Sequence, residues 1–387
     1  MKILILPSWY PSDKKPLSGI FIKDQFELLN SSGIDAKVIA VNIIPVGRKK
    51  SVINYFRNSK NRLRFYEDKP GVFKLDFLNT FHHKKKRDVN FEQISNAIHT
   101  YLQQINWKPN LIHVHDLDDA GSVAIELNKK YSYNYVLTQH NSILSSVHAL
   151  NSNYSKYSDI FIKSSGNAFV SRIENLLWIR AGLVKDVNTI GNFINEEVFY
   201  PSNKNISCSK LNLVSVTATS WIKNNSLLLK SVSLLLGKID FTFNMVIADY
   251  YQDRETIENL KELISEYNLT EHVKIHLNIA NRKQMANIYR KSDVFISTSN
   301  YETFGVALAE SISCGCFGIS LMNGGSLEII NDGVNGFLLS EIEILNLEQV
   351  IKKIDFSQSL RITCHNSIKN EFGRMAYLKS LKNLYVI

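Results

Sequence analysis

Twice along this 387-residue chain, short apolar runs rich in β-branched residues alternate with amphipathic stretches at helical spacing. Buried strands joined by crossover helices produce that rhythm. In the first series strands are expected at Lys2–Pro7, Asp35–Val41, Leu111–His115 and Tyr135–Thr138. Helices are expected at Ile20–Ser32, Phe91–Ile105 and Ala120–Lys130, and Ile160–Val170 and Val187–Ile190 supply further strand or helix edges. From about residue 47 to 90 the pattern is irregular, with strands expected near Arg62–Tyr66 and Val72–Phe77. Asn195–Leu211 is polar, contains the one proline beyond Pro109, and reads as a linker. In the second series strands are expected at Leu213–Val216, Phe243–Ala248, Val273–Leu277 and Asp293–Ser297. The matching helices are Ser226–Leu236, Arg254–Tyr267, Arg282–Lys291 and Val306–Cys314. The expected class is α/β, with two Rossmann-like doubly wound domains at residues 1–195 and 196–373. The tail, Arg374–Ile387, reads as a helix with Met375, Leu378, Leu381, Leu384 and Tyr385 on one stripe.

Composition narrows the classes. A hydrophobic content of 44% is that of an ordinary soluble protein. No apolar run reaches the ~18 residues a membrane span needs. The opening, Met1–Ser8, is too short for a signal peptide and reads as a buried strand. The four cysteines, Cys208, Cys314, Cys316 and Cys364, lack metal-site spacing, and a reducing, cytosolic location is expected. The net charge of +9 is concentrated between Arg48 and Arg87, where thirteen Lys/Arg face three Asp/Glu. Tyr55, Phe56, Phe65, Tyr66, Phe73, Phe77 and Phe81 are interleaved with them. Such a stretch suits an anionic membrane face or an anionic acceptor, with a solvated basic surface or nucleic acid as the alternatives.

The segment Ser297–Gly315 carries the chemistry. It reads as strand end, polar turn, Gly305 and a small-residue helix from Val306. A helix starting just after a strand presents unpaired N–H groups and a positive dipole end, a site for phosphate. Glu302 lies in the turn and Glu310 about one helical turn inside. Two acids so placed can hold hydroxyl-rich groups on either side of a pyrophosphate, which is the shape of a nucleotide sugar. His113 and His115 share one face of a strand, a metal-ligand geometry, but no third ligand is in register.

The Glu302-x7-Glu310 spacing around Phe304-Gly305 resembles the donor-site motif of retaining glycosyltransferases of the GT-B fold, family 4. Gly315, Gly324-Gly325-Ser326-Leu327-Glu328-Ile329-Ile330 and Asn331-Asp332-Gly333-Val334-Asn335-Gly336 extend the likeness, as do Pro7 to Phe21 with Gly19, and Thr138-Gln139-His140. The resemblance implies two Rossmann-like domains facing each other across a cleft, with the last helix returning to the first domain. It implies a hexose or N-acetylhexosamine moved from a nucleotide-diphosphate sugar to a glycan or lipid-linked acceptor, with retention, no metal and no cofactor. Bacterial cell-envelope polysaccharide synthesis is the implied setting, on or near the inner membrane face.

Residue by residue, the resemblance places Glu302 on hydroxyls of the donor sugar and Glu310 on the ribose. Thr303, Phe304, Gly305 and Val306 form the helix mouth, Lys223 reaches the diphosphate, and the backbone at Gly19 approaches a phosphate. His140 faces the reacting sugar or orients the acceptor, and His113 and His115 serve either structure or its support. Three departures stand out. One glycine, Gly19, replaces an adjacent pair, Ala218 stands where an arginine is usual, and Ala248-Asp249-Tyr250-Tyr251 replaces a Gly-x-Gly. Arg282 is the expected source of the missing charge. These departures keep two alternatives open, a GT-B nucleotide-sugar epimerase and a non-catalytic sugar-nucleotide or polyanion binder.

Overall fold

The computed structural model describes residues 1–13, 15–45, 63–79, 90–143, 147–185, 187–202, 210–218, 220–248 and 254–385. The chain forms two units, Met1–Ile190 with Leu378–Ile387, and Gly191–Tyr377.

The first unit is built on a sheet of β1 (Lys2–Pro7), β2 (Asp35–Pro45), β3 (Leu63–Lys69), β4 (Val72–Asn79), β5 (Leu111–His115), β6 (Tyr135–Gln139), β7 (Gly166–Phe169) and β8 (Asn188–Thr189). Their order is β3-β4-β2-β1-β5-β6-β7-β8. Only the β3–β4 pair among these is antiparallel. β1 is apolar throughout because both its faces are covered. Leu4 and Leu6 join the cluster of Ile94, Ile98, Leu127, Ile160 and Trp178, while Ile3 and Ile5 are equally buried on the opposite face. The chain leaves β1 toward β2 and returns on the other side as β5. That reversal makes a topological switch point at the carboxyl ends of β1 and β5, where open α/β sheets bind ligands.

The final helix, Arg374–Tyr385, ends in the first unit. Leu381, Leu384 and Tyr385 are buried there, and a Cβ on Gly166 would lie 3.2 Å from Leu384 Cδ1. Met375 departs from the expected stripe, being 77% exposed, and burial begins at Tyr377 and Leu378.

The second unit has an all-parallel sheet of β9 (Leu211–Thr217), β10 (Phe241–Ile247), β11 (Val273–Leu277), β12 (Val294–Ser297), β13 (Phe317–Leu321) and β14 (Gly336–Leu339). The order β11-β10-β9-β12-β13-β14 puts its switch point between β9 and β12. β11 and the helix Arg282–Lys291 keep the bounds expected from their apolar spacing.

Other boundaries differ for identifiable reasons. Ile160–Val170 is not one element, because Ile160 and Phe161 lie on the inner side of the helix Val147–Lys163 and β7 follows. Lys163-Ser164-Ser165, inside that stretch, marks the break between the two. The linker expected from Asn195 starts as packed structure. Phe199 is fully buried with its ring centroid 6.2 Å from that of Tyr289, and Ser313 donates to its carbonyl at 2.7 Å. Most of the basic stretch, at 46–62 and 80–89, lies outside the described residues, as do Cys208 and 249–253. Within β3 and β4, Lys74 pairs with Asp68 at 2.9 Å and the Arg64 guanidinium lies 5.7 Å from the Tyr66 ring centroid.

One buried charge pair ties the second unit together. Arg361 is 2% exposed, and its Nη2 donates to the Ser292 carbonyl at 2.9 Å and to Asp293 at 3.4 Å. The other Asp293 oxygen accepts from the Asn212 backbone and side chain at 2.9 and 3.0 Å. Removing the acid leaves an uncompensated guanidinium in the core. Asp293→Ala is expected to lower stability by about 3–5 kcal/mol in urea titrations; a loss within error of zero would show that water reaches Arg361.

Candidate functional site

The expected residues fall into two clusters, one in each unit. In the second, they gather at the switch point. β9 runs into a short 3-10 turn, Trp221–Lys223, and β12 into the turn that precedes the helix Val306–Ser313. The two loops are laced to each other. Thr298 donates its hydroxyl to the Lys223 and Asn224 carbonyls, each at 3.0 Å, and Asn300 N donates to the Ile222 carbonyl at 2.8 Å. This fixes the Lys223 ammonium on the Glu302 carboxylate as a half-buried ion pair.

The loop after β13 closes over the turn. Gly325 N donates to the Glu302 carbonyl at 2.8 Å, and Asn323 donates to the Ser299 carbonyl at 2.9 Å. A Cβ on Gly325 would sit 2.2 Å from the Phe304 carbonyl oxygen, so only glycine fits. Phe304 is buried edge-on against Phe372, with centroids 5.1 Å apart. It therefore anchors the turn from within. Gly305, the residue before the helix, has φ of 93°, a left-handed conformation that glycine tolerates. Thr303 and Val306 are partly exposed on either side.

Glu310 is buried one turn into the helix and pairs with Arg282 at 3.1 Å. The Arg282 guanidinium also lies 4.8 Å from the Phe199 ring centroid. Arg282, expected at the diphosphate, is thus engaged with the second acid of the motif, while Lys223 engages the first. The Tyr289 hydroxyl is pushed well above its ordinary range, chiefly by burial and then by the Glu310 charge.

In the first unit Gly19 and His140 come together around Trp9. Gly19, with φ of 68°, precedes the helix Ile20–Ser31, and its missing Cβ would lie 2.6 Å from the Trp9 carbonyl. The Trp9 and Phe21 rings lie 6.2 and 4.6 Å from the His140 ring. His140 Nε2 is 2.9 Å from His115 Nδ1. His113 sits beside them, with its Nδ1 2.8 Å from both Gln25 Nε2 and the Tyr385 hydroxyl, and its Nε2 2.8 Å from Thr138 Oγ1. Burial, then the His140 charge, lowers His113 to about 3, and burial holds His115 well below the usual imidazole range. No group of metal-ligating side chains forms among the described residues.

Two buried acids that sequence reasoning missed hold the segment carrying His140. Asp116, at φ of 80°, accepts from Asn141 N at 3.3 Å, and Leu117 N donates to Gln139 Oε1 at 3.0 Å. Glu174 accepts from Ile143 N at 3.2 Å and from Trp178 Nε1 at 3.1 Å. Asp116 carried a signal, standing directly after a strand that ends His-Val-His. Glu174 carried none, being one charged residue in an ordinary helix.

Two units with Rossmann-like parallel sheets define an α/β protein of the GT-B fold. Residues 201–374 match the family described as Glycosyl transferases group 1. The chain is 27% identical over 199 residues to sucrose synthase of Melioribacter roseus, covering 47% of this chain and 22% of that protein. It is 29% identical over 143 residues to TuaC of Bacillus subtilis, named as a glycosyltransferase of teichuronic acid biosynthesis, covering 37% of this chain and 36% of that one. The matched stretch thus spans well under half the length of either relative. In structure, HepE of Anabaena in complex with UDP-glucose superposes over 100% of both chains with a TM-score of 0.70 at 16% identity, a likeness of fold.

Burial, then the Asp118 charge, raises the Asp116 carboxyl to about 7. An unfolded aspartate titrates near about 4. Between those values the folded state binds a proton that the unfolded state does not, so this group's contribution to stability falls as pH rises. Asp116→Asn removes the titration. The variant's thermal midpoint relative to the parent is expected to climb by several degrees from about pH 5 to about pH 8. A difference flat across that range would show that Asp116 ionises normally.

Proposed function

We propose that this protein is a retaining glycosyltransferase that moves a hexose or N-acetylhexosamine from a nucleotide-diphosphate sugar, UDP-linked by preference, to a glycan or lipid-linked acceptor. The observation that carries the reading is the second unit's switch point, where a helix start, an ammonium and a carboxylate converge. The match of residues 201–374 to the glycosyl transferases group 1 family supports it. The UDP-glucose complex of the similarly folded HepE favours a UDP donor.

In this reading the helix start at Phe304-Gly305-Val306 and Lys223 hold the diphosphate, Thr303 lines its approach, and Glu310, steadied by Arg282, holds the ribose. Glu302 holds hydroxyls of the sugar. Gly19 lets backbone approach a phosphate, and His140 serves the reacting sugar or the acceptor. The bond between the anomeric carbon and the diphosphate oxygen breaks. The acceptor oxygen bonds to that carbon from the same face, and its proton passes to the departing diphosphate. Positive charge comes from Lys223 and the helix dipole, so the proposed reaction needs no metal and no cofactor. The likeness to TuaC, the basic stretch at 48–87 and the resemblance in sequence support bacterial envelope polysaccharide synthesis on the cytoplasmic side, with peripheral contact to anionic lipid. Among the described residues no helix is long and apolar enough to cross a membrane.

A thermal-shift panel of UDP-, GDP- and ADP-sugars tests the donor. A UDP-sugar is expected to raise the midpoint most, and no response at millimolar concentration would refute the reading. Release of UDP only when acceptor is present separates transfer from epimerisation or simple binding. Because Glu302 occupies the Lys223 ammonium in the structure, Glu302→Gln is expected to bind UDP several-fold more tightly while losing about 100-fold in turnover. Near-parental turnover with an unchanged circular dichroism spectrum would remove Glu302 from the reaction.

A further inference from the structure

We propose that the outer face of the helix Arg172–Arg180 docks on an anionic lipid surface, with Leu176 and Ile179 entering the headgroup layer and Arg172, Arg180 and Lys185 meeting lipid phosphates. The proposal rests on the reading of the acceptor as lipid-linked and names the surface that would bring the protein to it.

The helix is inverted relative to an ordinary surface helix, which turns its apolar residues inward and its charges outward. Its one acid, Glu174, is 1% exposed and faces inward with Asn175 and Trp178. Leu176 and Ile179, by contrast, are 62% and 39% exposed. At about 100° per residue, Arg172, Leu176, Ile179 and Arg180 fall within about 100° of one another around the helix axis. All four are exposed, and so is Lys185 just beyond the helix end. The outer face therefore presents aliphatic side chains and cations with no acid among them. Tyr154 stands at the end of the same helix, half exposed, its hydroxyl donating to the Gly182 carbonyl at 3.1 Å. Tyrosine, with an apolar ring and a polar tip, is favoured at the level of lipid headgroups.

Charge decides the occupant. An acid-free face of arginine, lysine and aliphatic side chains complements phosphates lying above acyl chains, and shallow insertion needs only a short helix face. A stable protein contact takes about 800 Å² from each partner, more than two aliphatic side chains supply.

The inner face links this surface to the reaction. Glu174 accepts from Ile143 N at 3.2 Å and from Trp178 Nε1 at 3.1 Å, so the helix holds the segment that carries His140. Trp178 packs on Phe161 and Phe169, with ring centroids 5.6 and 5.8 Å away, which fixes the helix on the sheet. The helix follows β7 at the carboxyl ends of parallel strands, the same end of the sheet as His140. A lipid-linked acceptor keeps its chains in the bilayer and offers its sugar at the surface. Docking through Leu176 and Ile179 would hold the His140 segment near that level.

Sedimentation of the full chain with vesicles of equal parts phosphatidylcholine and phosphatidylglycerol tests the proposal. The parent is expected to bind them, to be released by high salt, and to bind pure phosphatidylcholine vesicles several-fold more weakly. Leu176→Gln with Ile179→Gln is expected to weaken binding to the mixed vesicles about tenfold or more, with an unchanged circular dichroism spectrum and an unchanged thermal response to the UDP-sugar. In a second variant, Leu176→Trp, the added fluorescence is expected to move to shorter wavelength on the mixed vesicles. Failure of the parent to bind, parent-like binding by the double glutamine variant, or an unmoved emission would each overturn the proposal. Self-association of the parent that the double variant abolishes would assign the face to a second copy and overturn it as well. The reading of the acceptor fails separately. The expected vesicle results, with equal turnover of a soluble glycan acceptor in the presence and absence of vesicles, would leave the helix as a lipid contact and remove only the lipid-linked acceptor.

Discussion

The lacing of the β9 and β12 loops is the constraint on which the second unit's site depends. Parallel strands on either side of a switch point end in loops that have no ladder to hold them. Here one threonine hydroxyl and one backbone amide do that work, from Thr298 and Asn300 onto the carbonyls at 222–224. With that register set, Lys223 and Glu302 have to meet, although 79 residues separate them in sequence. The Gly325 contact adds a third loop to the same frame, and the buried Phe304 ring prevents the turn from shifting outward. Charge, helix start and turn are thus placed by hydrogen bonds onto backbone carbonyls rather than by the long side chains of Lys223 and Glu302 themselves.

The first unit solves a different problem. Its switch point holds polar side chains that are almost wholly buried: Gln25, His113, His115, Asp116, Thr138 and Gln139. Each has to be matched or kept uncharged. The histidines stay neutral, and Asp116 and Glu174 both have raised carboxyls because burial disfavours the ionised form. Backbone amides at Asn141 and Ile143 take up their oxygens. The outcome is a stiff segment at 139–143, in which a single ring, His140, is presented between Trp9 and Phe21.

The alternation of strand and helix was legible in the sequence because central parallel strands are apolar on both faces, as β1 and β5 are. The helix start at Val306 was legible because Gly305 breaks the pattern and small residues follow it. Periodicity did not settle the boundary inside Ile160–Val170, where polar Lys163-Ser164-Ser165 separates a helix end from the next strand. It failed again at Met375, where a hydrophobic residue at helical spacing faces solvent. The site was legible as a set of residues and less so as a set of partners. Spacing along the chain put Glu302 and Glu310 on one turn and helix, but it did not foretell that Lys223 would sit on the first acid and Arg282 on the second. Those pairings arise from the order of strands in the sheet, which no local pattern encodes. Glu174 was invisible for the same reason, since its meaning comes from the loop that it faces.

The helix Arg374–Tyr385 is coupled to the first unit's strands in time as well as in space. His113 shares its Nδ1 with a hydroxyl 272 positions further along, on Tyr385. On a ribosome the first unit's strands emerge long before that tyrosine exists. Until it arrives, a nascent chain has a polar cluster around Gln25 and His113 with one member missing, and Gly166 lacks the leucine that covers it. Contacts of such long sequence separation form late and slowly. Completion of the first unit is thereby deferred until Leu384 and Tyr385 have been made, and a nascent chain that lacks them holds an opening in its own core.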